Sequence, residues 1–199
     1  MTKTYDRRYF DRWYRQSRHG RDHRLSIERK ARLALALAEY HLERPVRSVL
    51  DVGCGEGAWR APLLKLRPGL RYRGFDASEY AVARFGRARN LGLASFGQMA
   101  ELRIDAPVDL LVCSDVMHYL PTPELKRGLS GFAELCSGLA FLDVYCREDA
   151  ITGDLDGFIA RPARWYRQAF ADAGFTACGS NGYLSAALRD RATALEIPG

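Results

Sequence analysis

Hydrophobic and polar positions change period along this chain. Residues 5–15, YDRRYFDRWYR, set Tyr5, Tyr9 and Trp13 on one face of a helix, with Phe10 beside it and Arg8, Arg12 and Arg15 on another face. The polar stretch around His19 to His23 predicts a connection. Leu33, Leu35, Leu37 and their neighbouring alanines predict a second helix over about 25–42, with Pro45 shortly after its end. From 47 onward, apolar runs of strand length alternate with helical segments. Strands are expected at 48–53, 72–75, 93–96, 108–113, 140–145, 176–180 and 183–188, and helices at 58–66, 78–89, 123–136 and 162–173. Ser78 is the expected N-cap of the second of these helices. Pro162 suits the first turn of the last. Residues 147–161 are a loop rich in Gly and Asp.

Strands that alternate with helices pair in parallel and are covered on both faces. The final two strands are too close for a helical crossover and predict an antiparallel hairpin at an edge. The expected fold is therefore α/β: a doubly wound, seven-stranded, mostly parallel sheet with an antiparallel C-terminal hairpin and an N-terminal helical cap. The cap spans 1–45, the ligand-binding domain 46–190 and a tail 191–199.

Composition adds bounds to this picture. The 199 residues suffice for one α/β domain, and a hydrophobic fraction of 47% with 27% charged residues is that of a folded protein. No apolar run approaches the ~20 residues that span a bilayer. The N-terminus is charged and aromatic where a signal peptide needs an apolar stretch, so no membrane association and a cytoplasmic location are expected. Five cysteines without a CxxC pair argue against a disulfide framework and against a structural zinc site, and no metal is expected. The net charge of +6 is uneven: residues 1–32 hold eleven Lys or Arg against four Asp or Glu, and the remainder is close to neutral. Such a segment attracts anionic partners, nucleic acid among them, unless it is a solvated helix face.

Candidate chemistry begins at the end of the first strand. Gly53, Gly55 and Gly57 lie between strand and helix, at the carboxyl edge of the sheet where open α/β folds bind ligands. Gly53-x-Gly55-x-x-Ala58 satisfies the looser dinucleotide pattern. Asp51 and Glu56 speak against a dinucleotide, because a carboxylate repels a pyrophosphate and attracts a cationic ligand. Asp76 follows the second strand, where an acid accepts hydrogen bonds from both hydroxyls of a ribose. The ligand read from these residues is a cationic nucleoside.

VLDVGCGEGAW (49–59), GFDASEYAV (74–82), VDLLVCSDVMHYL (108–120), GLAFLDVY (138–145) and AFADAGF (169–175) together resemble the motifs of the class I S-adenosylmethionine (SAM) dependent methyltransferases, in the right order and spacing over about 46–189. The resemblance implies SAM as cofactor and S-adenosylhomocysteine (SAH) as product. Gly53 and Gly55, with Cys54 between them, would pass under the methionine part of SAM, and Asp51 would help fix its amino group. Asp76 would bind the ribose and Ala77 would flank the adenine. Gln98 stands where the family often has Asp, and its carbonyl oxygen can accept from the adenine amino group. Met99 would pack on the adenine, and Ser114 would lie near the transferred methyl. Tyr9, with Tyr5 and Trp13, would close over SAM from the cap.

Methyl transfer is a direct displacement that depends mainly on alignment, and a base is needed only where the acceptor must lose a proton. The candidates are Asp115, His118 and Tyr119, with Asp143 and Tyr145 as further groups that can face the acceptor. Ser114-Asp115-Val116-Met117 lacks the Pro-Pro of the nucleic-acid amino methyltransferases. The expected acceptor is a small molecule, methylated on O or N, and an anionic one if Arg8, Arg12 and Arg15 receive it; loop 147–161 would form the opposite wall. The alternatives are an RNA methyltransferase that uses the basic N-terminal segment, a SAM-binding protein without catalysis, and a dehydrogenase. The oligomeric state is not legible.

Overall fold

The apolar runs become a two-faced sheet. In the computed structural model, which describes residues 5–15, 17–150 and 154–195, β1 (Ser48–Val52) pairs in parallel with β4 (Val108–Ser114) at the centre. Outward from β1 lie β2 (Arg71–Asp76) and β3 (Leu91–Leu93), both parallel to their neighbours. Outward from β4 lie β5 (Cys136–Asp143), β7 (Gly182–Leu184) and β6 (Thr176–Gly179). The order is β3-β2-β1-β4-β5-β7-β6, and only β7 runs antiparallel to its neighbours. The edge hairpin and the seven-stranded α/β sheet thus follow the sequence pattern.

Period-2 geometry divides the core. Leu110 and Val112 of β4 face a cluster shared with α2 (Ser17–Leu42) and α3 (Arg60–Leu66). Leu111 and Cys113, the intervening residues, face a second cluster built with α5 (Thr122–Leu135) and α6 (Ala163–Asp172). β4 is buried on both faces, which is why its sequence is nearly all apolar. α4 (Glu79–Arg89) connects β2 to β3, and Ser78 caps it by accepting from the Ala81 N–H at 3.1 Å.

Several boundaries differ from the pattern. The polar stretch at His19–His23 is no connection; α2 runs through it from Ser17. One helical glycine costs only about 1 kcal/mol, and the buried stripe Ile27, Ala31, Ala34, Leu35 and Ala38 anchors the helix to the sheet. Residues 5–15 form a short helix, α1 (Arg7–Phe10), that widens into a π-turn at Asp11–Arg15. β3 sits at Leu91–Leu93 and not 93–96, because Asn90 adopts the left-handed conformation (φ 58°) and turns α4 straight into the strand. Phe96–Ala100 is instead a 3₁₀ turn, held by a capping box between Ser95 and Gln98. β5 begins at Cys136, four residues before the expected start at 140, directly after α5. The last strand ends at Leu184, and Ala186–Arg191 is a further 3₁₀ turn, so the expected tail from 191 begins at its end; 196–199 lie outside the described residues, as do 1–4 of the cap and 151–153 of the loop. Among the described residues no helix is long and apolar enough to cross a membrane.

α5 approaches the 96–100 turn so closely that two of its positions admit no side chain. A Cβ at Gly131 would lie 2.2 Å from the Met99 carbonyl oxygen, and one at Gly128 within 2.4 Å of the Phe96 carbonyl. Gly131→Ala is expected to lower the urea midpoint by the equivalent of ~1–3 kcal/mol, despite the better helix propensity of alanine. Gly69→Ala, where a Cβ meets nothing within 4 Å, is the control and should leave the midpoint unchanged within a few tenths of a kcal/mol.

Candidate functional site

Strand ends and the cap enclose the site. β1 delivers Asp51 and then the turn Gly53–Gly57, whose three glycines all have positive φ: 74° at Gly53, 53° at Gly55 and 75° at Gly57. The Gly53 and Cys54 N–H groups donate to the Phe75 carbonyl at 2.8 and 3.1 Å, which locks the turn onto β2. A Cβ at Gly53 would lie 2.4 Å from Val116, and one at Gly55 2.9 Å from the Tyr14 hydroxyl. The turn therefore passes between the loop after β4 and the cap with no room for side chains.

The acids at the strand ends are held individually. Asp76 accepts from the Gly55 N–H at 2.7 Å on one oxygen and from the Ser78 N–H at 2.8 Å on the other. Each carboxylate oxygen keeps a lone pair for a further donor. Asp51 is buried and accepts from the Tyr72 hydroxyl at 2.6 Å. Burial pushes its carboxyl up to about 7, against the Tyr72 hydrogen bond, which lowers it; the neighbouring Asp76 raises it further. Burial likewise raises Asp76, although its two backbone hydrogen bonds oppose the shift. Glu56 forms an ion pair with Arg15 of the cap, so its charge is neutralised within the protein.

Two cavities meet over this turn. The smaller, about 110 Å³, is lined by Asp76, Ala77, Ala94, Phe96 and Leu120 under Tyr5 and Phe10 of the cap. The larger, about 360 Å³, is lined by Asp51, Cys54, Trp59, Ser114 and Tyr145, with Trp13 above. Tyr9, Tyr14, Gly53, Asp115, Val116 and Tyr119 line both. The cap is fastened across them. Phe10 stacks on Tyr80 with centroids 5.8 Å apart, and the Ser78 hydroxyl donates to the Tyr5 carbonyl at 2.7 Å. At the far end Lys30 of α2 reaches Asp143 at 2.5 Å, and the Ser114 hydroxyl donates to the same carboxylate oxygen at 2.7 Å.

Of the residues chosen from sequence as cofactor-binding, Asp51, Gly53, Cys54, Gly55, Asp76, Ala77, Ser114 and Tyr9 line these cavities. Gln98 and Met99 line neither. The Gln98 carbonyl oxygen accepts from the Ser95 N–H at 2.7 Å, and Met99 is buried in the core under α5. Ala94 and Phe96 occupy that wall.

The three catalytic candidates separate. Asp115, at φ 65°, and Tyr119 reach the cavities, whereas His118 is 1% exposed and lines neither. His118 is packed among the rings of Tyr119, Tyr145 and Phe158, and its Nε2 lies 3.6 Å from Asp115. The Tyr119 hydroxyl donates to the Asp154 carbonyl at 2.8 Å, and burial pushes its pKa well above the ordinary phenol value. It is thus suited to hold a neighbour and poorly suited to take a proton. Asp154 brings loop 147–161 to the larger cavity. Arg8, Arg12 and Arg15 line neither cavity: Arg12 stacks on Trp13, and Arg15 is paired with Asp11 and Glu56.

Sequence reasoning missed the face of α2 that forms one wall of the larger cavity: His23, Ser26, Ile27 and Lys30. Their spacing of three and four was present as a signal. It was hidden because the start of that stripe fell in the stretch taken for a connection. Tyr14 lies off the helical face marked by Tyr9 and Trp13, so the spacing of that face does not select it.

Comparison with known proteins agrees with this geometry. Residues 50–138 match the methyltransferase domain family. No curated protein matches the chain in sequence. Among solved structures, magnesium protoporphyrin IX methyltransferase from Synechocystis PCC 6803 with bound SAH is similar at 18% identity, with a TM-score of 0.67 over 91% of this chain and 96% of that one. The sugar N-methyltransferase KedS8 from Streptoalloteichus sp ATCC 53650 is similar at 17% identity, with a TM-score of 0.64 over 93% of this chain and 94% of that one. A SAM dependent methyltransferase from Archaeoglobus fulgidus follows at 17% identity and a TM-score of 0.61, over 84% and 72%.

Asp51 generates a pH prediction. Its folded pKa of about 7 exceeds the unfolded value of 3.8, so the folded protein keeps a proton that the unfolded chain has released. Its stabilising contribution is complete below the unfolded pKa and is lost as pH rises through 7. Asp51→Asn should therefore raise the melting temperature at pH 8 more than at pH 5, measured by scanning calorimetry without ligand. An equal effect at both pH values would refute a raised Asp51.

Proposed function

We propose that this chain, whose residues 50–138 match the methyltransferase domain family, is a SAM-dependent methyltransferase that transfers the methyl group to a nitrogen or oxygen of a small-molecule acceptor. The observation that carries this reading is the pair of joined cavities with a strand-end carboxylate in each, Asp76 in the smaller and Asp51 in the larger. A nucleoside carrying a cationic amino-acid arm fits such a division. The free lone pairs of Asp76 suit ribose hydroxyls, the apolar Ala77, Ala94 and Phe96 suit a base, and Asp51 suits an ammonium. The glycine turn admits close approach at the junction.

SAM supplies a methyl carbon already activated by its sulfonium, so the chain's own residues have to align and desolvate. Tyr9 and Tyr14 cover the junction from above and exclude water. Ser114, Asp115 and Tyr119 border the larger cavity where an acceptor can enter, with Tyr119 held by Asp154. His118, behind them, positions the loop through its ring contacts.

The larger cavity also bears on the acceptor's charge. Its wall carries Asp22, Asp51, Asp115 and Asp154 against Lys30, which is engaged by Asp143. That balance favours a neutral or cationic acceptor over the anionic one expected from the cap arginines, and it disfavours a polyanion such as RNA.

Calorimetry tests the reading. SAM and SAH should bind, and NAD should not, because Asp51 opposes a pyrophosphate. Asp76→Asn should weaken SAH binding by ~1–3 kcal/mol, the cost of a lost hydrogen bond to a charged group. Binding of NAD in place of SAM would overturn the proposal.

A further inference from the structure

His23 stands out among the groups that the proposed reaction leaves unused. It lies on the cavity-facing stripe of α2, four residues before Ile27 and seven before Lys30. Its ring packs against Tyr14, which covers the junction of the two cavities, at a centroid distance of 4.7 Å. Its Nε2 is buried and has no hydrogen-bond partner among the described residues. A buried imidazole nitrogen without a partner costs free energy unless something that arrives satisfies it. On the proposed function, this cavity takes the acceptor beside the amino-acid arm of the cofactor.

We infer that His23 is a catalytic base, whose Nε2 accepts the hydrogen bond and then the proton of an N–H or O–H on a small neutral or cationic acceptor. This rests on the methyltransferase reading. In the step, the acceptor's lone pair forms the bond to the methyl carbon as the carbon–sulfur bond breaks. The electron pair of that bond stays on sulfur, which becomes a neutral thioether. The acceptor's proton passes to Nε2, and the imidazolium returns it to water when the product leaves. Charge is conserved: one sulfonium is lost and one imidazolium is gained.

The surroundings keep this nitrogen available. Burial lowers the His23 pKa below its ordinary 6.5. Asp115, on the loop after β4, opposes that shift, and Lys30, on the same helix, reinforces it. Tyr14 faces the ring from the cap, while Asp22 and Asp154 share the cavity wall. The net result is a neutral imidazole at physiological pH, as a base requires. His118 differs on each point of access, being enclosed by three rings and absent from both cavity walls.

The test uses the full chain, radiolabelled SAM and two probes, tyramine for an amine and a phenol and 4-methylphenol for a phenol alone. The wild type should show an acidic limb in kcat/KM with a midpoint below 6.5. His23→Gln should lose at least ten-fold in kcat and abolish that limb, with SAH affinity by calorimetry unchanged within two-fold. A limb retained in His23→Gln, or unaltered kcat, overturns the proposal. Where neither probe is turned over, nitrogen NMR of histidine-labelled protein saturated with SAH decides: a probe-induced shift of the His23 Nε2 resonance supports the role, and an unmoved resonance with both probes overturns it. Failure of SAH to bind the wild type would instead refute the methyltransferase reading and with it the inference. Loss of SAH binding in His23→Gln alone would assign His23 to cofactor binding and also overturn the inference.

Discussion

The 2.7 Å hydrogen bond from the Gly55 N–H to the Asp76 carboxylate is the contact on which the site depends. It joins the turn after β1 to the end of β2, two segments that the chain separates by a helix. It works only because Gly55 can take a positive φ, which aims its N–H at the neighbouring strand. With the turn fixed, Gly53 can pass within touching distance of Val116, and Asp51 is sealed beneath it. Asp76 is oriented by the same bond, so the acid of the smaller cavity and the backbone of the larger one are placed by one interaction. Preorganisation of this kind avoids ordering costs when a ligand binds.

Electrostatics then determine how the cap sits. Asp51 is buried, and Asp76 lies close enough to raise its pKa further, which is unfavourable without a cationic ligand. Glu56 and Asp143 sit nearby, and the cap supplies Arg15 to the first and Lys30 to the second. Part of the basic excess of the N-terminal segment is thereby spent inside the molecule. Arg7, Arg8 and Arg12 remain on the outer surface of the same segment. The segment's charge is therefore divided between fastening and solvation.

Much of this was legible in the chain because it follows from local rules. β1 and β4 read as apolar runs, the glycine turn read as a close approach, and Ser78 read as a cap. The acids at 51 and 76 read as ligand-facing from their place after strands, and both border a cavity. What escaped depends on contacts distant in sequence. Asn90 gives no sign that it will turn left-handed and start β3 early. Gln98 looks like an adenine partner until its carbonyl is seen capping a 3₁₀ turn. His118 carries reactive chemistry in a reactive-looking loop, yet three rings enclose it. His23 lay in a stretch whose polarity resembled a loop, and only packing of the later α2 stripe on the sheet extends the helix through it.

The division of labour between the glycine turn and α2 has a consequence for how such a chain can diversify. Asp51, Asp76 and Ser114 come from strand ends, whose backbone is fixed by the sheet. His23, Ser26 and Lys30, which line the larger cavity, come from a single helix that precedes the sheet in sequence. Substitutions along that helix face can reshape one wall of the larger cavity while the strand ends keep their backbone donors and the carboxylates of Asp51 and Asp76. On the proposed function, selectivity for what is modified and competence to carry the modifying group are thus separately variable traits, encoded in different stretches of the sequence.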